Sequence, residues 1–136
     1  MVTGATGLVG SHLLARLNKL EQPFVATSRR RPSKYLDFGT WKRLDLSMKF
    51  KPLELNDLFG NANAIIHLAA KVPNIFGNEF EEEMQTTNVV ATKNLGIWAL
   101  KAGVKFIYIS SATVYADPYE INITEYNKTI KKENSN

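Results

Sequence analysis

The chain has 136 residues and is 44% hydrophobic, enough for one compact domain with a real core, and it has no cysteine, which excludes disulfides, thiolate metal sites and a cysteine nucleophile. No stretch approaches the roughly 18 consecutive apolar residues of a membrane span, and no basic region followed by an apolar run opens the chain, so the expected setting is cytoplasmic, with no membrane partner. The net charge of +4 and pI of about 9.3 are compatible with a nucleic-acid surface, a pocket for a phosphate-bearing small ligand, or a scatter of solvated lysines.

In chain order, the first feature is the run MVTGATGLVG, with Gly4, Gly7 and Gly10 at three-residue spacing. Behind it Val9, Leu13, Leu17 and Leu20 form one apolar stripe, which predicts a helix starting near Leu8. Pro23 ends that helix, and FVATS (24–28) reads as a short strand. WKRLDL (41–46) is a poorer strand candidate, and PLELNDLFG (52–60) predicts a brief helix with Pro52 near its first turn. NAIIHLA (63–69) is a near-continuous apolar run, as expected of a strand covered on both faces.

A long helix is predicted from about Glu79 to Ala102, with Glu79, Glu81, Glu82 and Glu83 at the positive end of its dipole. Met84, Asn88, Ala91, Leu95, Trp98 and Ala102 fall on one face, and Gly103 stands where a C-terminal cap belongs. Val90, Ile97 and Leu100 lie off that stripe, surplus apolar surface that would suit pairing with a second copy in a homodimer. VKFIYIS (104–110) is the last predicted strand, and beyond Ala116 the chain is polar with little periodicity. Strands alternating with helices predict an α/β fold, a doubly wound parallel sheet of about five strands, with ligands bound beyond the strand ends.

The chemistry-bearing residues sit at those ends. One glycine permits a tight turn, one lets a pyrophosphate approach the backbone, and one lets the helix pack close to the sheet, while the helix N-terminus offers N–H groups to phosphate. An acid about 20 residues on would bind the ribose 2′-hydroxyl of NAD; here Ser28, Arg29 and Arg30 stand instead, and guanidinium groups suit the 2′-phosphate of NADP. NADP is therefore preferred over NAD. Asp45 can accept from the adenine amino group or cap the next turn, and His67, inside an apolar strand, reads as a packed core residue. With only His12 as a second histidine, no metal is expected. Asn88 needs partners for its amide, and Ser110, Ser111 and Tyr115 in YISSATVY place hydroxyls at a strand end, where they can bind a carbonyl or alcohol or simply end the strand.

Together TGATGLVGSHL, LDL, HLAA, TNVVATKNL and YISSATVY resemble, in order and spacing, the extended short-chain dehydrogenase/reductases of the NAD-dependent epimerase/dehydratase group, over residues 1 to about 118. The resemblance implies a Rossmann fold and hydride transfer on a nucleotide-sugar or similar carbonyl or alcohol substrate. It implies cofactor contacts at Gly4, Thr6, Gly7, Leu8, Val9 and Gly10. Asp45 and Leu46 would flank the adenine, and Leu68, Ala69, Ala70 and Lys71 would line the cofactor. Asn88 and Ser110 would lie near the nicotinamide end, and Ser111 matches the active-site serine.

The family's tyrosine, with a lysine four residues later, has no match: Tyr115, Tyr119 and Tyr126 are followed at that distance by Tyr119, Ile123 and Ile130, and Tyr126 misses Lys131 by one residue. Only Met1, Val2 and Thr3 precede the first glycine, where a central strand runs about five or six residues. The expectation is a cofactor domain over 1–118, cut at both ends relative to the family, with 119–136 opening the catalytic and substrate region. Turnover by these residues alone should be weak or absent. A non-catalytic NADP(H)-binding module is the alternative reading, and a nucleic-acid-binding protein a more remote one; the motifs favour a small ligand over nucleic acid.

Overall fold

The computed structural model describes residues 1–34, 37–48, 50, 54–72, 81–115, 119 and 121–130. Its elements are β1 (Val2–Thr3), α1 (Leu8–Lys19), β2 (Phe24–Ser28), β3 (Gly39–Arg43), α2 (Leu55–Phe59), β4 (Ala64–His67), α3 (Glu81–Met84), α4 (Ala91–Ala102) and β5 (Lys105–Tyr108). A π-helical segment, Gln85–Val90, joins α3 to α4, and a 3₁₀ turn covers Ala112–Val114. The five strands make one sheet in the order β3-β2-β1-β4-β5, every pair parallel. This is the doubly wound order with its switch point at β1.

β1 has only two residues, yet it is the centre of the sheet, pairing Val2 with Ala26 and Ile66, and Thr3 with Thr27 and His67. That register sorts the core. Val2, Ala5, Leu14, Phe24 and Ala26 pack together against α1, with Leu13 and Leu17 partly buried beside them. Ile65, one residue from the partner of Val2, faces the other way. It joins Leu46, Leu55, Phe59, Ala91, Leu95, Trp98 and Ala99 in the second cluster, under α2 and α4. The Trp98 indole closes this cluster edge-on to Phe59, at 5.6 Å between centroids, and donates to Asn56 Oδ1 at 2.6 Å.

Several sequence expectations shift. Val9 and Leu20 do not belong to the inward stripe of α1; both are exposed, and Gly10 and Leu14 are the buried pair, because the close approach of helix to sheet rotates that face inward. On the long helix Ala102 is exposed and Ala99 takes its place in the core. The third strand is Gly39–Arg43 rather than 41–46, so Asp45 lies in the loop beyond it. β2 spans the residues expected, and Gly103 caps α4 in the left-handed conformation at φ 67°; β4 and β5 are shorter than the runs at 63–69 and 104–110, and the π-helical segment interrupts the expected long α-helix. Val90 and Leu100 are exposed and Ile97 is half-buried. The helix start near Glu79, Pro52 and Lys131 lie outside the described residues. Among the described residues no helix is long and apolar enough to cross a membrane. Past the 3₁₀ turn the chain returns as a bridge, with Tyr115 antiparallel to Thr129 and Ile130 N–H donating to Val114 O at 2.7 Å.

Candidate functional site

Beyond β1 the chain turns at once. Gly4 adopts φ 66°, and Gly7 N–H donates back to its carbonyl at 3.0 Å. A Cβ on Gly4 would stand 2.7 Å from the Ala69 backbone nitrogen, so the loops after β1 and β4 touch through their backbones. Gly10 is tighter still, since a Cβ there would meet Gly4 O at 2.2 Å. Its absence lets the first turn of α1 lie on the loop it follows. Gly7 caps α1 without any side-chain hydrogen bond, leaving the first N–H groups of the helix for solvent or a guest.

A cavity of about 270 Å³ opens here, and among its lining residues are Gly4, Thr6, Gly7, Arg29, Asp45, Leu46, Leu68, Ala69, Ala70 and Lys71. A wider cavity, about 1030 Å³, adjoins it through Thr6, Arg29 and Asp45 and adds Arg30, Arg31, Lys34 and Arg43. The fold thus gathers ten of the sequence-predicted residues around the smaller cavity and Arg30 around the larger. Leu8, Val9, Gly10, Asn88, Ser110 and Ser111 line neither. Leu8 and Val9 stand exposed on the outer side of the first turn, and Gly10 works by close packing.

Each wall is tied down. Ser28 Oγ donates to the Arg30 carbonyl and accepts from Trp41 Nε1 at 3.0 Å, which shapes the arginine turn. Asp45 Oδ1 accepts from Ser47 Oγ at 2.7 Å and Ser47 N–H at 3.1 Å, a cap on its own turn. The Ser47 hydroxyl, helped by the Ser47 N–H and the Arg29 and Arg43 guanidiniums against the opposing effect of partial burial, holds the Asp45 carboxyl below its usual range. Asn88 supplies both halves of its amide to one residue: Oδ1 accepts from Lys71 N–H at 2.7 Å, and Nδ2 donates to Lys71 O at 2.8 Å. Lys71 Nζ pairs with Glu83 at 2.9 Å.

Beneath the site lies a network that the sequence reading missed. Thr3 Oγ1 accepts from Leu68 N–H at 3.2 Å and Ala69 N–H at 3.3 Å, and lies 2.6 Å from His67 Nδ1. A hydroxyl has two acceptor sites and one proton, so that proton goes to Nδ1. Nε2–H is then left to donate to Thr92 Oγ1, 2.9 Å away. His67 is fully buried, lies within stacking distance of Tyr108 at 5.7 Å, and its pKa is pushed down to about 4 by burial. As expected from sequence, it is a packed core residue. Among the described residues no group of three metal-ligating side chains could hold an ion.

At the end of β5 the character changes. Ser110 and Ser111 are exposed, and Ser111 Oγ lies 2.9 Å from Thr113 Oγ1, one of the two hydroxyls donating to the other.

The model of a family described as the NAD dependent epimerase/dehydratase family matches residues 1–136. A hybrid PKS-NRPS synthetase of Thermothelomyces thermophilus is 33% identical over 137 residues, covering 87% of this chain and 3% of the synthetase. The UDP-glucose 4-epimerase of Caenorhabditis elegans is 32% identical over 149 residues, covering 95% of this chain and 42% of the epimerase. A short-chain dehydrogenase/reductase superfamily protein from Agrobacterium tumefaciens, solved with bound NAD, superposes with a TM-score of 0.80 at 25% identity, over 97% of this chain and 39% of that one. The chain therefore spans less than half the length of each of these relatives.

Proposed function

Because the chain belongs to the NAD-dependent epimerase/dehydratase family, we propose that residues 1–118 bind a nicotinamide dinucleotide, NADP in preference to NAD, for hydride transfer on a nucleotide-sugar or similar carbonyl or alcohol substrate. The observation that carries this reading is the backbone contact of Gly4 with Ala69 beside a cavity lined by both loops. A side chain at Gly4 would fill the cradle, and the shape suits a pyrophosphate held by N–H groups.

The residues present fit the group. Gly4, Thr6, Gly7 and the first turn of α1 would hold the pyrophosphate, with Gly10 bringing that turn close. Asp45 and Leu46 would flank the adenine. Arg29 and Arg30 would take the 2′-phosphate as charged, fork-shaped donors. Leu68, Ala69, Ala70 and Lys71 would form the wall beyond the pyrophosphate, with Lys71 held in place by Asn88. A nicotinamide ring supplies the hydride acceptor and donor when bound. Ser111, with Ser110 beside it, would orient the reacting oxygen by hydrogen bonding. Residues 119–136 would belong to the catalytic and substrate-binding region. No tyrosine in these 136 residues has a lysine four positions on, so this chain alone should bind cofactor with little turnover.

Calorimetric titration tests the reading. NADPH should bind roughly tenfold more tightly than NADH, the worth of a good charge-assisted contact. Arg29→Ala with Arg30→Ala should erase the gap while leaving NADH binding in place. Equal or tighter binding of NADH by the wild type would refute the NADP preference, and binding of neither would refute the dinucleotide site.

A further inference from the structure

The wider cavity holds more positive charge than one phosphate needs. Arg29, Arg30, Arg31, Lys34 and Arg43 line it against a single carboxylate, Asp45. Among the described residues none of the five is within salt-bridge distance of a carboxylate. Cations gathered in this way repel one another until an anion joins them. In their midst stands a hydroxyl that the dinucleotide reading leaves unused. Ser33 lines the same cavity and is exposed, as are Arg30, Arg31 and Lys34 around it.

The local sequence is Arg30-Arg31-Pro32-Ser33, with guanidiniums two and three residues before the hydroxyl. Protein kinases select substrates by charge patterns, and a basophilic serine kinase pairs its own carboxylates with guanidiniums at those two places. The backbone must also be free to extend across the kinase cleft. Parallel neighbours such as β2 and β3 are usually joined through a helix, whereas residues 29–34 and 37–38 between them are neither helix nor strand. The Ser28 hydroxyl, donating to the Arg30 carbonyl, ties down only the start of this connection, and Ser33 lies beyond the tie.

We propose that Ser33 is a phosphorylation site for a basophilic serine kinase, and that its phosphate sits in the arginine-lined cavity and excludes the 2′-phosphate of NADP. The second half rests on the NADP reading above. Ser33 Oγ attacks the γ-phosphorus of ATP; the new O–P bond forms as the bond to the β–γ bridging oxygen breaks. ADP leaves with that electron pair, and the hydroxyl proton passes to the kinase's base. Phosphoserine carries a charge of about −1.5 to −2 at pH 7 and three acceptor oxygens, a match for the surrounding guanidiniums.

The test treats the full chain with the catalytic subunit of cyclic-AMP-dependent protein kinase and MgATP. Phosphate should enter at Ser33, as mapped by mass spectrometry. Arg31→Ala, outside the cofactor contacts proposed above, should slow incorporation at least roughly tenfold. The phosphorus NMR signal of the folded phosphoprotein should titrate below about pH 6, the ordinary second pKa of phosphoserine, and return to it in urea. Phosphorylation should weaken NADPH roughly tenfold, to the affinity of NADH, and leave NADH binding unchanged. Ser33→Ala should bind NADPH as the wild type does. No phosphate at Ser33, equal incorporation into Arg31→Ala, or one phosphorus titration for folded and unfolded chain overturns the proposal. So does a preference for NADPH that survives phosphorylation. A wild type without that preference overturns the NADP reading instead, and incorporation with the phosphorus titration still decides whether Ser33 is the site and the cavity its seat.

Discussion

Where β1 and β4 end, backbone lies against backbone, with no room for a single added carbon at Gly4 or Gly10. Where β5 ends, Ser110 and Ser111 stand exposed just beyond a strand that pairs on one side alone among the described residues. The first region presents backbone, glycines and a helix terminus, over a buried Thr3–His67–Thr92 network that ties β1, β4 and α4 together. The second is side chain without enclosure, two exposed serines of which Ser111 is hydrogen-bonded to Thr113. A pyrophosphate is recognised by fixed N–H groups and tolerates no intruding carbon. A reacting group needs a polar atom that can be approached. Under the proposed function, the contrast follows from those different demands.

Substitutions should separate the two regions sharply. Gly10→Ala strikes the densest point, because its Cβ would fall 2.2 Å from Gly4 O and 2.9 Å from Ala5 Cα, neither of them the end of a flexible chain. We expect destabilisation of at least about 3 kcal/mol in urea titration. A loss below about 1 kcal/mol would show that the loop yields and that the contrast is overstated.

Next in size is a pH effect on the buried network. His67 is neutral in the fold, with its pKa near 4 instead of about 6.5. The unfolded chain therefore binds a proton that the folded chain refuses between those values. Stability is full above about pH 6.5, declines as pH falls toward 4, and is flat with respect to this group below that. Between pH 7 and 5 the loss should be about 2 kcal/mol. His67→Gln should be less stable overall but should lack this slope. A wild-type melting temperature equal at the two pH values would count against the Thr3–His67–Thr92 assignment.

The smallest effect belongs to the exposed region. Ser111→Ala should change stability by less than about 0.5 kcal/mol and leave NADPH affinity as it was, since only the Thr113 contact is lost. A large drop in melting temperature would mean that the β5 end is a packed element after all.

Much of this was legible in the residues. Glycine spacing followed by a helical stripe placed the turn; alternating strands and helices predicted the sheet; and Gly103 announced its cap. Each depends on neighbours within a few residues, where local geometry governs. The stripe on α1 failed at Val9 and Leu20 because periodicity marks an apolar face without saying how far a helix rotates when a glycine draws it in. Nothing local signalled the π segment. The sequence offers Asp45 a capping role and an adenine-binding one, and the fold adds that Ser47 is the residue it caps.

By itself, then, the sequence determined the order of elements, the glycine turn and the placement of polar residues at the strand ends, because these arise from short-range patterns of side-chain size, charge and backbone freedom. Only the tertiary structure decided that a two-residue strand is the centre of the sheet, that Thr3 meets His67 across 64 residues of chain, and that Gly4 touches Ala69. Those depend on which strands become neighbours, and that choice is made by burying both faces of the sheet at once.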